Sequence, residues 1–126
     1  MPQRPIVLVV DDEPDVLSLV ETVLESELDC QVLCAEDGTR ALDMLDSQTP
    51  ALVITDVRMP LMDGVELVRR LRARPTTRLV PILVFATSSS ARDQAIAAGA
   101  TGSLDKPFDI SDMVRIVGEH LDSNRS

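Results

Sequence analysis

Residues 6–14 read Ile6-Val7-Leu8-Val9-Val10-Asp11-Asp12-Glu13-Pro14, and the abrupt change from aliphatic to acidic residues decides the fold class. A continuous, mostly β-branched run suits a strand buried on both faces, as in a parallel sheet; a half-exposed strand would alternate with polar residues. The run ends in acids and then Pro14, whose fixed φ and missing N–H suit a first helical turn. Strand, acidic turn and helix start follow one another directly.

Further along the chain the same unit recurs. Ala51-Leu52-Val53-Ile54-Thr55, ending at Asp56, and Ile82-Leu83-Val84-Phe85 repeat the apolar run, with a weaker strand over Gln31 to Ala35 and a short one around Ser103 to Asp105. Between them lie helical periods: Val16, Leu17, Val20 and Leu24; Ala41, Leu42 and Leu45; Leu67, Val68 and Leu71. Gly99 suits a helix end, and Ser90 to Asp93 has the spacing of a capping box. Asp109 to Asp112 has similar spacing and opens a last helix that buries Met113, Val114, Val117 and Leu121. Five strand and helix pairs predict an α/β fold with a doubly wound, five-stranded parallel sheet, for which order 2-1-3-4-5 is one of two common solutions. In that order strands 1 and 3 are neighbours, and ligands bind outside their carboxyl ends, where Asp11, Asp12 and Asp56 fall.

A chain of 126 residues supports one domain, over 1–126 with its core at about 5–122. An apolar content of 44% is that of a globular protein, and no run approaches the roughly 20 apolar residues that span a bilayer, so a soluble protein is expected. Met1-Pro2-Gln3-Arg4-Pro5 lacks the apolar stretch of a signal peptide, which predicts a cytoplasmic location. Cys30 and Cys34 have no companion cluster for zinc and read as reduced thiols, with Cys34 in the core. A net charge of −9 and 2% aromatic residues exclude a general nucleic-acid binder, which needs many cations on phosphates and rings to stack bases.

One acid after a strand means little, because Asp favours turns and helix starts. Three converging on one crevice repel one another and raise each other's pKa unless a cation shares the site. Magnesium fits, since it takes oxygen ligands, is held by one or two carboxylates and commonly shares a substrate phosphate. Asp56 is then free to attack a phosphoryl group in line, giving an aspartyl phosphate. Lys106, the sole lysine among twelve basic residues, stands where the fifth strand ends and complements that charge by contacting a phosphate oxygen. A cis bond is plausible before Pro107.

Three stretches carry a resemblance: Val9-Val10-Asp11-Asp12-Glu13, then Asp56-Val57-Arg58-Met59-Pro60-Leu61-Met62-Asp63-Gly64, then Lys106-Pro107-Phe108. Together and in this order they resemble the signatures of response-regulator receiver domains in two-component signalling, across nearly the whole chain. The resemblance implies a flavodoxin-like (βα)5 fold and a phosphohistidine on a histidine kinase or phosphotransfer protein as donor. It also implies Asp56 as acceptor and a magnesium site from Asp11, Asp12, Asp56 and the backbone carbonyl of Arg58. Lys106 would contact the phosphate. No enzymatic activity beyond the chain's own phosphorylation and dephosphorylation is expected, nor direct binding to nucleic acid or membrane; output would pass to an unknown downstream protein.

Two positions depart from the family. Receiver domains usually end the fourth strand with a Ser or Thr; counted from Pro81 that position is Ala86, with Thr87 next, and a short following loop leaves the register open. A one-residue slip would reverse side-chain facing. Ser103 stands where the family generally has an aromatic residue. Readout through the segment from Thr87 to Ser90 is one expectation, and a receiver-like interaction module independent of phosphate is the alternative function. A metal-dependent phosphatase with an aspartate nucleophile is disfavoured, because such enzymes carry Asp-x-Asp and here the acids are adjacent.

Arg69, Arg70, Arg72, Arg74 and Arg78 read first as a solvated face and second as a dock for an acidic partner. The Arg58 side chain, two residues past Asp56, is either without a role or hangs over the phosphate to slow attack by water. His120 reads as a structural residue of the last helix.

Overall fold

The computed structural model describes residues 4–123. Five parallel strands, β1 (Ile6–Val10), β2 (Gln31–Ala35), β3 (Leu52–Asp56), β4 (Ile82–Ala86) and β5 (Gly102–Asp105), form one sheet in the order β2-β1-β3-β4-β5. Helices α1 (Pro14–Glu27), α2 (Gly38–Met44), α3 (Gly64–Ala73), α4 (Ser89–Ala98) and α5 (Ile110–Ser123) alternate with them. The doubly wound order expected from the strand pattern is the observed one.

Side-chain alternation along the strands separates two cores. Leu8, Val10, Val53, Ile82 and Val84 pack with α2, α3 and α4, while Val7, Val9, Ile54, Leu83 and Phe85 pack with α1 and α5. Val7, Val9 and Ile54 are wholly shielded from solvent, and burying each such side chain contributes roughly 1.5–3 kcal/mol. Both faces of the central strands are covered, hence their unbroken apolar character.

Register brings the acids together. Val10 sits opposite Thr55 across β1 and β3, so Asp11 and Asp56, the next residue on each chain, emerge side by side at the carboxyl edge. Ala86 faces Asp105 across β4 and β5, which delivers Lys106 to the same edge, and the Lys106–Pro107 bond is cis.

Several local expectations shift. The cap of α4 is Ser88, whose extended backbone lets its side chain accept from the Ala91 amide at 3.1 Å, two residues before the expected Ser90. Asp109 does accept the Asp112 amide, at 2.9 Å. Val114 is half-buried, unlike Met113, Val117 and Leu121. Cys30 is fully buried and Cys34 only half-buried, so Cys34 packs against the core without being sealed in it as expected: the Cys30 thiol tucks under Leu24, whereas Cys34 lines an open groove between α1 and α2. Burial pushes the Cys34 thiol up to about 11, helped by Glu21 and Glu25. No helix among the described residues is long and apolar enough to cross a membrane.

Candidate functional site

Each acid is placed by a short, well-held piece of backbone. The Asp11 amide continues the sheet by donating to the Ala35 carbonyl at 3.1 Å, and its carboxylate takes the Glu13 amide at 2.9 Å, which turns the chain into α1. Asp56 is the last residue of β3, and the turn beyond it closes on Gly64, whose amide donates to the Val57 carbonyl at 2.8 Å. A Cβ on Gly64 would lie 2.1 Å from the Asp56 carbonyl oxygen, so only glycine lets α3 start this close to the strand. Asp63 caps α3 by accepting the Glu66 amide at 2.8 Å. The Asp63-Gly64 pair thus fixes the loop from which Asp56 is presented.

Carboxylate oxygens of Asp11, Asp12, Glu13 and Asp56 all lie within 4.8 Å of one another. Asp11 and Asp56 are buried, Asp12 and Glu13 exposed. A cation is paired with this group: Lys106 Nζ donates to Asp11 Oδ2 at 3.0 Å, Asp56 Oδ2 at 3.2 Å and Glu13 Oε1 at 3.4 Å. Burial raises the Asp11 pKa above its usual 3.8, and Asp56 adds to this, against the lowering effect of the Glu13 amide and Lys106. Burial works against the Lys106 charge, but the hydrogen bonds to Asp11 and Asp56 outweigh it and drive its pKa upward. Four carboxylates around one ammonium leave excess negative charge on oxygen donors alone, the donor set and charge that a hard divalent cation satisfies.

The cluster opens onto a cleft of about 680 Å³ whose lining includes Asp12, Asp56, Arg58, Thr87, Lys106 and Phe108. Its floor is aromatic: Phe85 and Phe108 stack with centroids 5.0 Å apart, and Lys106 Nζ stands 6.0 Å from the Phe85 ring. Ala86, buried at the end of β4, faces the α2, α3 and α4 side with Ile82 and Val84. Thr87 is exposed and lines the cleft beside Asp56, so the nearest hydroxyl to the expected position lies one residue on. Ser103 is half-buried on β5 and lines a separate shallow pocket with Asp105 and Phe108.

The structure thus brings Asp11, Asp12, Asp56, Arg58, Thr87 and Lys106 to one cleft or cluster. Glu13 belongs with them and was missed as a site residue; its only signal was a third acid after Asp11-Asp12. His120 lies apart, its Nδ1 2.9 Å from the Ile116 carbonyl within α5. The arginines on and after α3 do not form one free face. Arg69 and Arg70 pair with Glu66, Arg74 reaches Asp46 at 2.8 Å, and Arg72 turns inward to backbone carbonyls.

A family model described as "Response regulator receiver domain" matches residues 7–118. The response regulator Rre1 of Synechocystis is 38% identical over 113 residues, covering 87% of this chain and 48% of its own length; the chain thus spans about half of that relative. A crystal structure of a putative response regulator from Chloroflexus aurantiacus superposes with a TM-score of 0.88 at 33% identity, covering 94% of this chain and 98% of the other. The receiver domain of sensor histidine kinase PA1611 from Pseudomonas aeruginosa, solved with a magnesium ion in its active-site cleft, gives 0.86 at 27% identity, over 94% and 98% of the two chains.

Proposed function

The chain belongs to the response-regulator receiver family, and from that premise we propose that it is the phosphoacceptor of a two-component or phosphorelay pathway, with Asp56 as the residue phosphorylated. The observation that carries this reading is the convergence of Asp11 and Asp56 on the ammonium of Lys106 at the carboxyl edge of β1 and β3, with the Asp12 carboxylate gathered beside theirs. Asp11, Asp12, Asp56 and the carbonyl of Arg58 would hold a Mg2+ ion, which supplies charge neutralisation for the meeting of two anions. An Asp56 oxygen attacks phosphorus as the bond to the histidine nitrogen of a kinase or phosphotransfer protein breaks, and the imidazole leaves with the electron pair. Lys106 holds a phosphoryl oxygen, and Thr87, from the rim, offers the hydroxyl that Ala86 lacks. The chain acts on no substrate but its own phosphoryl group, works in the cytoplasm, and signals through an unidentified protein partner.

A phosphate-independent interaction module is the second reading, favoured by Ala86 and Ser103, which leave the hydroxyl and aromatic positions of the family unfilled. Incubation with a small phosphodonor and Mg2+ separates the two. An acid-stable, base-labile mass increase that vanishes in Asp56→Asn is expected; no increase in the wild type would favour the second reading.

A further inference from the structure

Lys106 has three N–H donors, and all three are already engaged: by Asp11 at 3.0 Å, Asp56 at 3.2 Å and Glu13 at 3.4 Å. A lysine that is to hold a phosphoryl oxygen must first release one of these acceptors. Asp11 is the least able to leave, because its side chain is wholly buried and its other oxygen is fixed by the Glu13 amide. Asp56 itself carries the phosphoryl group and keeps it beside Lys106. Glu13 makes the longest of the three contacts, and 61% of its side chain is exposed, so water can solvate it once it swings out.

A second observation comes from helix α1. Glu13 occupies the N-cap position, yet its side chain makes no capping hydrogen bond. The residues that cap well are Ser, Thr, Asp and Asn, which reach the N2 or N3 amide with a short side chain. The glutamate side chain does not cap the helix start, and its carboxylate is turned across the site to Lys106. We propose that Glu13 is a displaceable placeholder: in the resting protein its carboxylate holds the Lys106 donor that a phosphoryl oxygen takes after transfer, so Glu13 positions Lys106 and opposes phosphorylation.

This inference rests on Asp56 being the phosphoacceptor, and the experiment separates the two. Binding of beryllofluoride, a mimic of the phosphoryl group, is titrated by calorimetry at saturating Mg2+ for wild type, Asp56→Asn, Glu13→Gln, Glu13→Ala and Asp15→Asn. Wild type should bind and Asp56→Asn should not. Absence of binding to the wild type overturns the phosphoacceptor reading and this inference with it. Glu13→Gln and Glu13→Ala should bind about two- to fivefold more tightly than wild type, the range expected for freeing a partly exposed ion pair. Asp15 is acidic and close in sequence but unpaired with Lys106, so Asp15→Asn reports only the removal of distant negative charge. Its effect should be smaller and should fade as ionic strength is raised to about 0.15 M, whereas the Glu13 effect should persist, because a direct contact lies well inside the Debye length of about 8 Å at that ionic strength. Equal affinity of wild type and the Glu13 variants, or a gain that salt abolishes, overturns the placeholder. So does a tenfold or greater loss of Mg2+ affinity in Glu13→Gln measured without beryllofluoride, which would assign Glu13 to the metal.

Discussion

Two half-buried cations stand at opposite ends of the sheet and are held in opposite ways. Lys106, past the carboxyl end of β5, collects three carboxylates. Arg72, near the amino ends of β4 and β5, collects no carboxylate among the described residues: its Nε donates to the Gly99 carbonyl at 2.9 Å, its Nη1 to the Val80 carbonyl at 2.7 Å and those of Thr77 and Arg78 at 3.2 Å, and its Nη2 to the Thr101 hydroxyl at 3.3 Å. Burial alone lowers the Arg72 pKa, with no opposing anion. The planar fork of arginine matches several fixed carbonyls at once, tying the end of α4 to the turn between α3 and β4. The ammonium of lysine is a point charge whose acceptors can be exchanged one at a time. Fixed dipoles at Arg72 build a joint.

Arg72→Ala should produce the largest loss of stability, roughly 2–4 kcal/mol by urea unfolding, from hydrogen bonds by a charged donor discounted for partial exposure. Arg72→Lys should recover little of it, because an ammonium cannot span those acceptors. Full recovery would reduce the joint to simple charge and break the contrast with Lys106.

Lys106→Met should cost less, about 1–2 kcal/mol in metal-free buffer, since the stranded carboxylates can still take up protons or water. That loss should shrink in millimolar Mg2+, as a divalent ion replaces the missing charge, while the loss in Arg72→Ala should be indifferent to Mg2+ beyond the wild-type response. Equal Mg2+ sensitivity at the two sites would show that the acidic edge is not a metal site.

The smallest effect concerns pH. Asp11 binds its proton more tightly in the folded, metal-free protein than in the unfolded chain, so its contribution is fully present below the ordinary value of 3.8 and is lost as pH rises through the raised value. Asp11→Asn removes this loss. The stability of the variant relative to wild type should therefore increase with pH over a window opening near 3.8, read from urea midpoints between about pH 4 and about pH 7. A difference independent of pH would mean that Asp11 carries no buried charge.

Much of this was legible in the residues themselves. Unbroken apolar runs ending in Asp11 and Asp56 announced a parallel sheet with acids at its edge, because burial on both faces leaves no room for alternation and side chains at the strand ends escape it. Lys106 was legible as the sole lysine at a strand end. Less legible were features that depend on partners distant in sequence: the arginines on and after α3 looked like one charged face, yet Arg72 donates to the Gly99 carbonyl 27 positions away and Arg74 reaches Asp46. Helix starts such as Ser88 were displaced by two residues, since several adjacent serines offer equivalent caps and only the local backbone selects one.

The amino-acid order by itself determined the layers, the alternation of strands and helices and which acids stand at strand ends, all consequences of hydrophobic period and turn chemistry that act locally. Only the tertiary structure decided that Glu13 shares Lys106 with Asp11 and Asp56, that Thr87 and not Ala86 looks into the cleft, and that Cys30 and not Cys34 is sealed in the core. Those outcomes depend on strand register and on where long side chains end, and a hydrogen bond between residues 93 positions apart has no signature until the chain has closed on itself.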